Sequence, residues 1–168
     1  GRGIMLAGPG GSGKSGTVLA GLMAGMQSVG DDYVLASLPE DGSVRVQPVF
    51  ATLKSDPNGL DRLGISNLGI GKKIAGFTNW QGKHQFTFQD FVQRPPTEAL
   101  QIQALLVPVV AGAERTTYAP MQRREAFLAL AQTGFKQMPG DTRQSLEMCS
   151  ALVKRLPTYR LSLGTNSA

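Results

Sequence analysis

Residues 8–15 read GPGGSGKS, directly after the apolar run Ile4-Met5-Leu6-Ala7. The reading of this stretch decides the fold. Gly8, Gly13, Lys14 and Ser15 meet the pattern G-x-x-x-x-G-K-[ST]. In a loop of this kind glycines let consecutive backbone N–H groups converge on phosphate oxygens, and the next helix adds its positive N-terminal end. The run before the loop suits a short buried strand. Residues 14–24 suit a helix, with Val18, Leu22 and Met23 on one side. Strand, glycine loop and helix are the setting such a motif requires.

A phosphate loop of this type needs an acidic residue to hold a metal, usually at the end of a hydrophobic strand. The strand candidate at 105–110 ends in Ala111-Gly112-Ala113, with Glu114 arriving late. Asp31-Asp32 is the better candidate. If Gly25 ends the helix in the left-handed conformation, residues 14–24 carry the chain about 16 Å from the phosphates. Residues 26–31, if extended, return it by roughly 20 Å. The two paths nearly cancel, so the acids are expected beside the loop. A helix running on through Ser28 would put them at the far end. An Asp serving as turn or cap is the ordinary structural alternative.

Residues 33–38 and 43–47, on either side of Pro39-Glu40-Asp41-Gly42, read as a β-hairpin. A hairpin so early argues against a purely parallel alternation of strands and helices. The expectation is an α/β domain over residues 1–168, with a mixed β-sheet containing the phosphate loop and flanking helices.

The order of these features, from Gly8–Ser15 through Asp31-Asp32 and the hairpin, resembles the catalytic domain of the HPr kinase/phosphorylase family. Asp31-Asp32-Tyr33-Val34-Leu35 is similar to the kinase-like relatives found beside peptide-modifying genes. Residues 156–164, LPTYRLSLG, resemble their final helix-to-strand junction. The likeness is good over residues 1 to about 50. It implies an ATP- and Mg²⁺-dependent kinase acting on a serine of a protein or peptide. Gly8, Pro9, Gly10, Gly11, Ser12, Gly13, Lys14, Ser15 and Gly16 would bind ATP. Lys14 would neutralise phosphate charge, Ser15 and Asp32 would hold Mg²⁺, and Asp31 would take the acceptor proton. Adjacent carboxylates near one metal are coupled, so the division between the two acids is open.

Three departures keep alternatives in view. Gly16 stands where HPr kinases usually carry Glu. A histidine upstream of the first strand and a separate N-terminal domain are not in this sequence. A nucleotide-binding regulatory module without turnover is one alternative. A small-molecule kinase with a parallel sheet and a metal-binding acid on a later strand is another. A second cation is expected for the transferring phosphoryl group, with Arg115, Lys83 and Arg123-Arg124 as candidates.

The bulk composition suits a soluble globular protein. Hydrophobic residues make up 41%, and 17 Lys+Arg against 12 Asp+Glu give +5, which favours anionic partners. The positive charges are scattered, so no nucleic-acid arm is read. The apolar stretch at 104–113 is too short to span a bilayer and contains Pro108, so no membrane partner is expected. Homo-oligomerisation is left open. The lone cysteine, Cys149, needs no oxidising compartment, and a cytoplasmic location is expected. Gly1-Arg2-Gly3 runs straight into a strand without a leader, an abrupt start that points to sequence upstream.

Residues 51–76 read as an irregular segment with one short helix. Residues 77–80 and 83–88 read as a second hairpin, carrying His84 as a strand residue and Trp80 and Phe77 as packing residues or adenine-stacking ones. Lys72 and Lys73 read as a solvated pair. Beyond Pro95-Pro96, a buried strand is expected at 101–110, and helices at 121–132 and 141–156, the second capped by Asp141. A last strand is expected at 159–163. Cys149 falls on the apolar pattern of the last helix and reads as a core residue.

Overall fold

The computed structural model describes residues 2–65, 78–134 and 142–165. β1 (Gly3–Leu6) enters the glycine loop and α1 (Lys14–Met23) leaves it. The early hairpin is β2 (Val34–Ser37) and β3 (Val44–Pro48). There follow β4 (Thr52–Ser55), α2 (Pro57–Arg62), β5 (His84–Thr87), α3 (Phe88–Val92), β6 (Leu100–Val110), β7 (Thr117–Pro120), α4 (Arg123–Gly134), α5 (Thr142–Arg155) and β8 (Thr158–Leu163).

The fold is mixed α/β. Six strands form the main sheet, in which β6 runs parallel to β1 and β8 while the other pairings are antiparallel. β4 and β5 form a separate antiparallel pair. The eleven-residue β6 is the axis. Ile102 pairs with both Gly3 and Val44, and Leu105 with both Met5 and Thr158. A strand residue has one neighbour on each side, so β1 lies along one side of β6. β3 and β8 lie end to end along the other.

Two irregularities in β6 have local causes. Its register with β1 skips from Ile102 to Ala104, leaving Gln103 as an extra residue. A bulge of this kind flips the alternation, so Ile102 shares one buried cluster with Leu105 and Val107. Pro108, inside the strand, lacks the N–H that a ladder needs. Odd-numbered amides of β6 face β8, as Leu105 N to Pro157 O and Ala111 N to Leu163 O show. The missing donor of Pro108 therefore faces the β1 side. There β1 has already ended, and Ala7 N has made its bond to Leu106 O. The proline sits where the sheet gives way to the glycine loop.

Two apolar clusters hold the molecule. One joins the main sheet, through Val44, Val46, Ile102, Leu105 and Val107, to Ala126, Ala129 and Leu130 of α4 and Cys149, Leu152 and Val153 of α5. The other joins Leu19 and Leu22 of α1 to Leu53 of β4, Leu60 of α2, and Phe86, Phe88 and Phe91. Because side chains alternate along a strand, burying Leu53 against α1 turns its neighbours Thr52 and Lys54 to the opposite face of β4.

The early hairpin, the central strand, both long helices and the last strand stand within two residues of the sequence expectations. Three elements differ. Residues 52–55, expected to be irregular, form β4. Of the second hairpin expected at 77–80 and 83–88, the described residues form a short turn, with a bridge from Thr78 to His84 and Asn79 N donating to Lys83 O, while β5 pairs along its length with β4. The strand stops at Thr87, whose hydroxyl accepts from Asp90 N while the Asp90 carboxylate accepts from Thr87 N, a capping box that starts α3. β7 was not expected and is an exposed edge. Trp80 does not pack, being 92% exposed in the turn before β5. Cys149 is a buried core residue, and burial pushes its thiol pKa up. Asp141, Phe77, Lys72 and Lys73 lie outside the described residues.

The central strand carries a direct test of this core. Leu105→Ala, at a fully buried position of β6, is expected to lower unfolding free energy by about 3 kcal/mol in urea titration. Val109→Ala, 42% exposed on the same strand, is expected to cost under about 1 kcal/mol.

Candidate functional site

The glycine loop crosses the carboxyl ends of β6 and β8, the usual ligand position in open α/β sheets. Gly13 precedes α1 with φ of 100°, a left-handed conformation that favours glycine. A Cβ there would also overlap Leu163 Cδ1 at the end of β8. The first bond along α1 runs from Thr17 N to Gly13 O, 3.0 Å, so the amides of residues 14–16 have no partner within the helix. With no side-chain cap and no acid in the first turn, these donors suit an anion. Lys14 Nζ donates to Gly8 O at 2.8 Å and Pro9 O at 2.9 Å. This holds the ammonium across the loop.

α1 ends as the spacing required. Ala24 caps it and Gly25 turns the chain at φ of 83°. The following segment returns without joining a sheet, fixed by Thr97 N to Ser28 O at 2.9 Å and by bonds of the Ser28 hydroxyl with Gly30. It brings Asp31 and Asp32 to the N-terminus of α1, where both acids act on the charge of Lys14. Ser15 lies beside Asp31. The residues proposed from sequence for phosphate, metal and proton transfer are thus gathered in one place.

The two acids differ in environment. Asp31 is partly buried, and its pKa is raised from 3.8 to about 6. Burial is the main cause and the Asp32 charge adds to it, while the Ser15 hydroxyl, the Lys54 amide and the Lys83 charge pull the other way. Its Oδ2 accepts from Lys54 N at 3.1 Å, whereas Oδ1 is buried with no hydrogen-bond partner. Asp32 is 37% exposed, and its Oδ2 accepts from Lys54 Nζ at 2.6 Å. Burial also lowers the pKa of Lys14, against the opposing pull of Asp31 and Asp32. Beside Asp32 opens a cleft of about 200 Å³ lined by Tyr33, Phe50, Thr52, Lys54 and Gln85. The rings of Tyr33 and Phe50 stack edge to face within it.

Among the proposed second cations, Lys83 acts on both Lys14 and Asp31 and belongs to the site. Arg115 lies on the loop after β6, next to Gly164 at the glycine-loop end of the sheet. Arg123 and Arg124 do not belong there. They follow Met121, whose amide bonds Thr158 O at the opposite end of β8, and they drop out as candidates. Sequence reasoning missed Lys54 because it lay in a segment read as irregular. The signal was Val49, Phe50 and Thr52, three strand-favouring residues before the Asp56-Pro57 break.

Among the described residues no group of three or more His, Cys, Asp or Glu forms a metal cage. Mg²⁺ does not need one, because it binds through one or two carboxylates together with substrate phosphates. The hard oxygen set of Ser15, Asp31 and Asp32 fits that habit, and so does the orphaned Oδ1 of Asp31. Among the described residues no helix is long and apolar enough to cross a membrane. Comparison of this chain with protein-family models, with curated proteins and with solved structures finds no match.

The raised pKa of Asp31 has a consequence for stability. The folded chain holds this proton more tightly than the unfolded one, so the stabilisation is complete below pH about 4 and is lost as pH rises through about 6. Without ligands, Asp31→Asn is expected to be more stable than the parent at pH 7.5 by up to about 3 kcal/mol. The difference should vanish near pH 3.5 in denaturant titrations run across that range.

Proposed function

We propose that this chain is an ATP- and Mg²⁺-dependent kinase of the HPr kinase type. Its reaction would pass a phosphoryl group to a serine hydroxyl of a protein or peptide. The observation that carries the reading is the return of Asp31 and Asp32 to Lys14 and Ser15 at the mouth of a glycine loop, with Asp31 Oδ1 buried and unpartnered. A buried carboxylate oxygen without a partner is costly, and a role in proton or metal binding explains why it is kept.

In this reading the backbone of residues 8–16 cradles the phosphates, and Lys14 offsets their charge. Ser15 and Asp32 hold the metal, which would supply charge neutralisation on the phosphates. The acceptor oxygen forms its bond to the γ-phosphorus as the bond to the bridging oxygen of ADP breaks, and its proton goes to Asp31. A carboxylate with a pKa near neutrality is a competent base. In this reading the cleft beside Asp32 would receive the acceptor.

The mixed sheet and the absence of an acid at the end of β6, where Ala111-Gly112-Ala113 follow, weigh against a small-molecule kinase of the parallel-sheet kind. A regulatory nucleotide-binding module remains the competing outcome.

Two substitutions separate these outcomes. Lys14→Ala is expected to weaken ATP binding by about 100-fold or more, since charge-assisted bonds to phosphate are lost; retained tight binding overturns the nucleotide assignment. Asp31→Asn is expected to keep ATP affinity while transfer from γ-labelled ATP to a serine acceptor falls by roughly 10²–10⁴. ATP binding with no transfer in either protein, across a broad set of acceptor peptides and extracts, would make the chain a regulatory module.

A further inference from the structure

Among the described residues, Lys54 bonds both acids. Its backbone amide donates to Asp31 Oδ2 and its ammonium to Asp32 Oδ2. The arrangement follows from the fold: Leu53 is buried against α1, which turns Lys54 to the face of β4 where the acids arrive. The Lys54 side chain is 23% exposed, so its stem is held against the site while its ammonium meets Asp32 at the rim.

The charges that meet here come from every side of the site. Lys14 is on α1, Lys54 on β4 and Lys83 just before β5, against Asp31 and Asp32 on the returning segment. Among the described residues, these three lysines and two aspartates leave one net positive charge, a balance that disfavours a bare divalent cation relative to an anion. One oxygen of Asp32, Oδ2, is in addition already held by an ammonium.

We propose that Lys54 is a positioning residue that fixes the acidic pair and keeps divalent cations off Asp32 until a nucleotide brings its own negative charge. The metal would then be admitted only together with the phosphates. The second half of this statement rests on the kinase reading, whereas the hold of Lys54 on Asp32 concerns the protein without ligand. Side-chain substitution tests that hold selectively, because the Lys54 amide that bonds Asp31 is backbone and survives.

The experiment titrates Mn²⁺ into the whole chain without nucleotide, following free Mn²⁺ by electron paramagnetic resonance. Lys54→Met keeps the length of the side chain and removes the charge. It is expected to bind Mn²⁺ at least about tenfold more tightly than the parent, as a nearby like charge is removed. Lys54→Arg should stay close to the parent, and adding Asp32→Asn to Lys54→Met should abolish the gain. Equal Mn²⁺ affinity in the parent and Lys54→Met, or a gain that survives loss of Asp32, overturns the proposal.

Once an acceptor is found, Lys54→Met should lower kcat with KM for ATP changed less than about threefold, and Lys54→Arg should recover part of the rate. A merely structural tether would alter neither Mn²⁺ affinity nor this split. If the parent binds no nucleotide, the kinase reading fails while the Mn²⁺ titration still decides the role of Lys54. If nucleotide binds and Mn²⁺ affinity is unchanged, only the role of Lys54 fails.

Discussion

The carboxylate of Asp31 lies between the N-terminus of α1 and the edge of β4, with its Oδ1 shut off from water. Keeping it there opposes folding at neutral pH, so the surrounding elements must supply a compensating hold. They do so from three directions. Gly25 reverses the chain after α1, the bonds of Ser28 with Gly30 and Thr97 fix the returning segment, and β4 presents the Lys54 amide.

The two apolar clusters divide the work of building that place. The first fixes the main sheet against α4 and α5 and sets the carboxyl ends of β6 and β8, over which the glycine loop crosses. The second ties α1 to β4 through Leu19, Leu22 and Leu53. One wall of the site is therefore supported by the main sheet and the other by the smaller one. The acids sit on a connection between them that belongs to neither. Placing chemistry on a loop held by rigid elements at both ends is a common division of labour, and here both anchors are identifiable.

How much of this was legible beforehand depends on where the information lies. The glycine loop, the end of α1 at Gly25 and the return of Asp31-Asp32 are local, so short-range spacing and helix geometry reach them. β6 was legible as an apolar run, although the bulge at Gln103 was not, since only pairing with β1 reveals it. β4 and β5 were misread because their partnership spans 29 to 35 positions in sequence. The strength of a strand lies in its pairing, and no local pattern in residues 51–76 announces the partner. The Thr87-x-x-Asp90 spacing was a readable cap, overlooked because Phe86 and Phe88 suggested a continuing strand.

The same distinction explains why Lys54 escaped notice while Lys14 did not. Lys14 is defined by neighbours within six positions, in a motif whose backbone geometry is its own explanation. Lys54 matters through a contact 22 residues away and through the alternation that burial of Leu53 imposes on β4. It comes into view only when pairing and packing are known together. The motif-bearing half of this site is written in consecutive residues, whereas the half that sets its charge is written in the tertiary fold. A site with two adjacent carboxylates needs both, because their mutual repulsion calls for a cation beyond Lys14 of the phosphate loop. In this chain β4 supplies that cation, which makes the small sheet part of the site's electrostatics as well as its support.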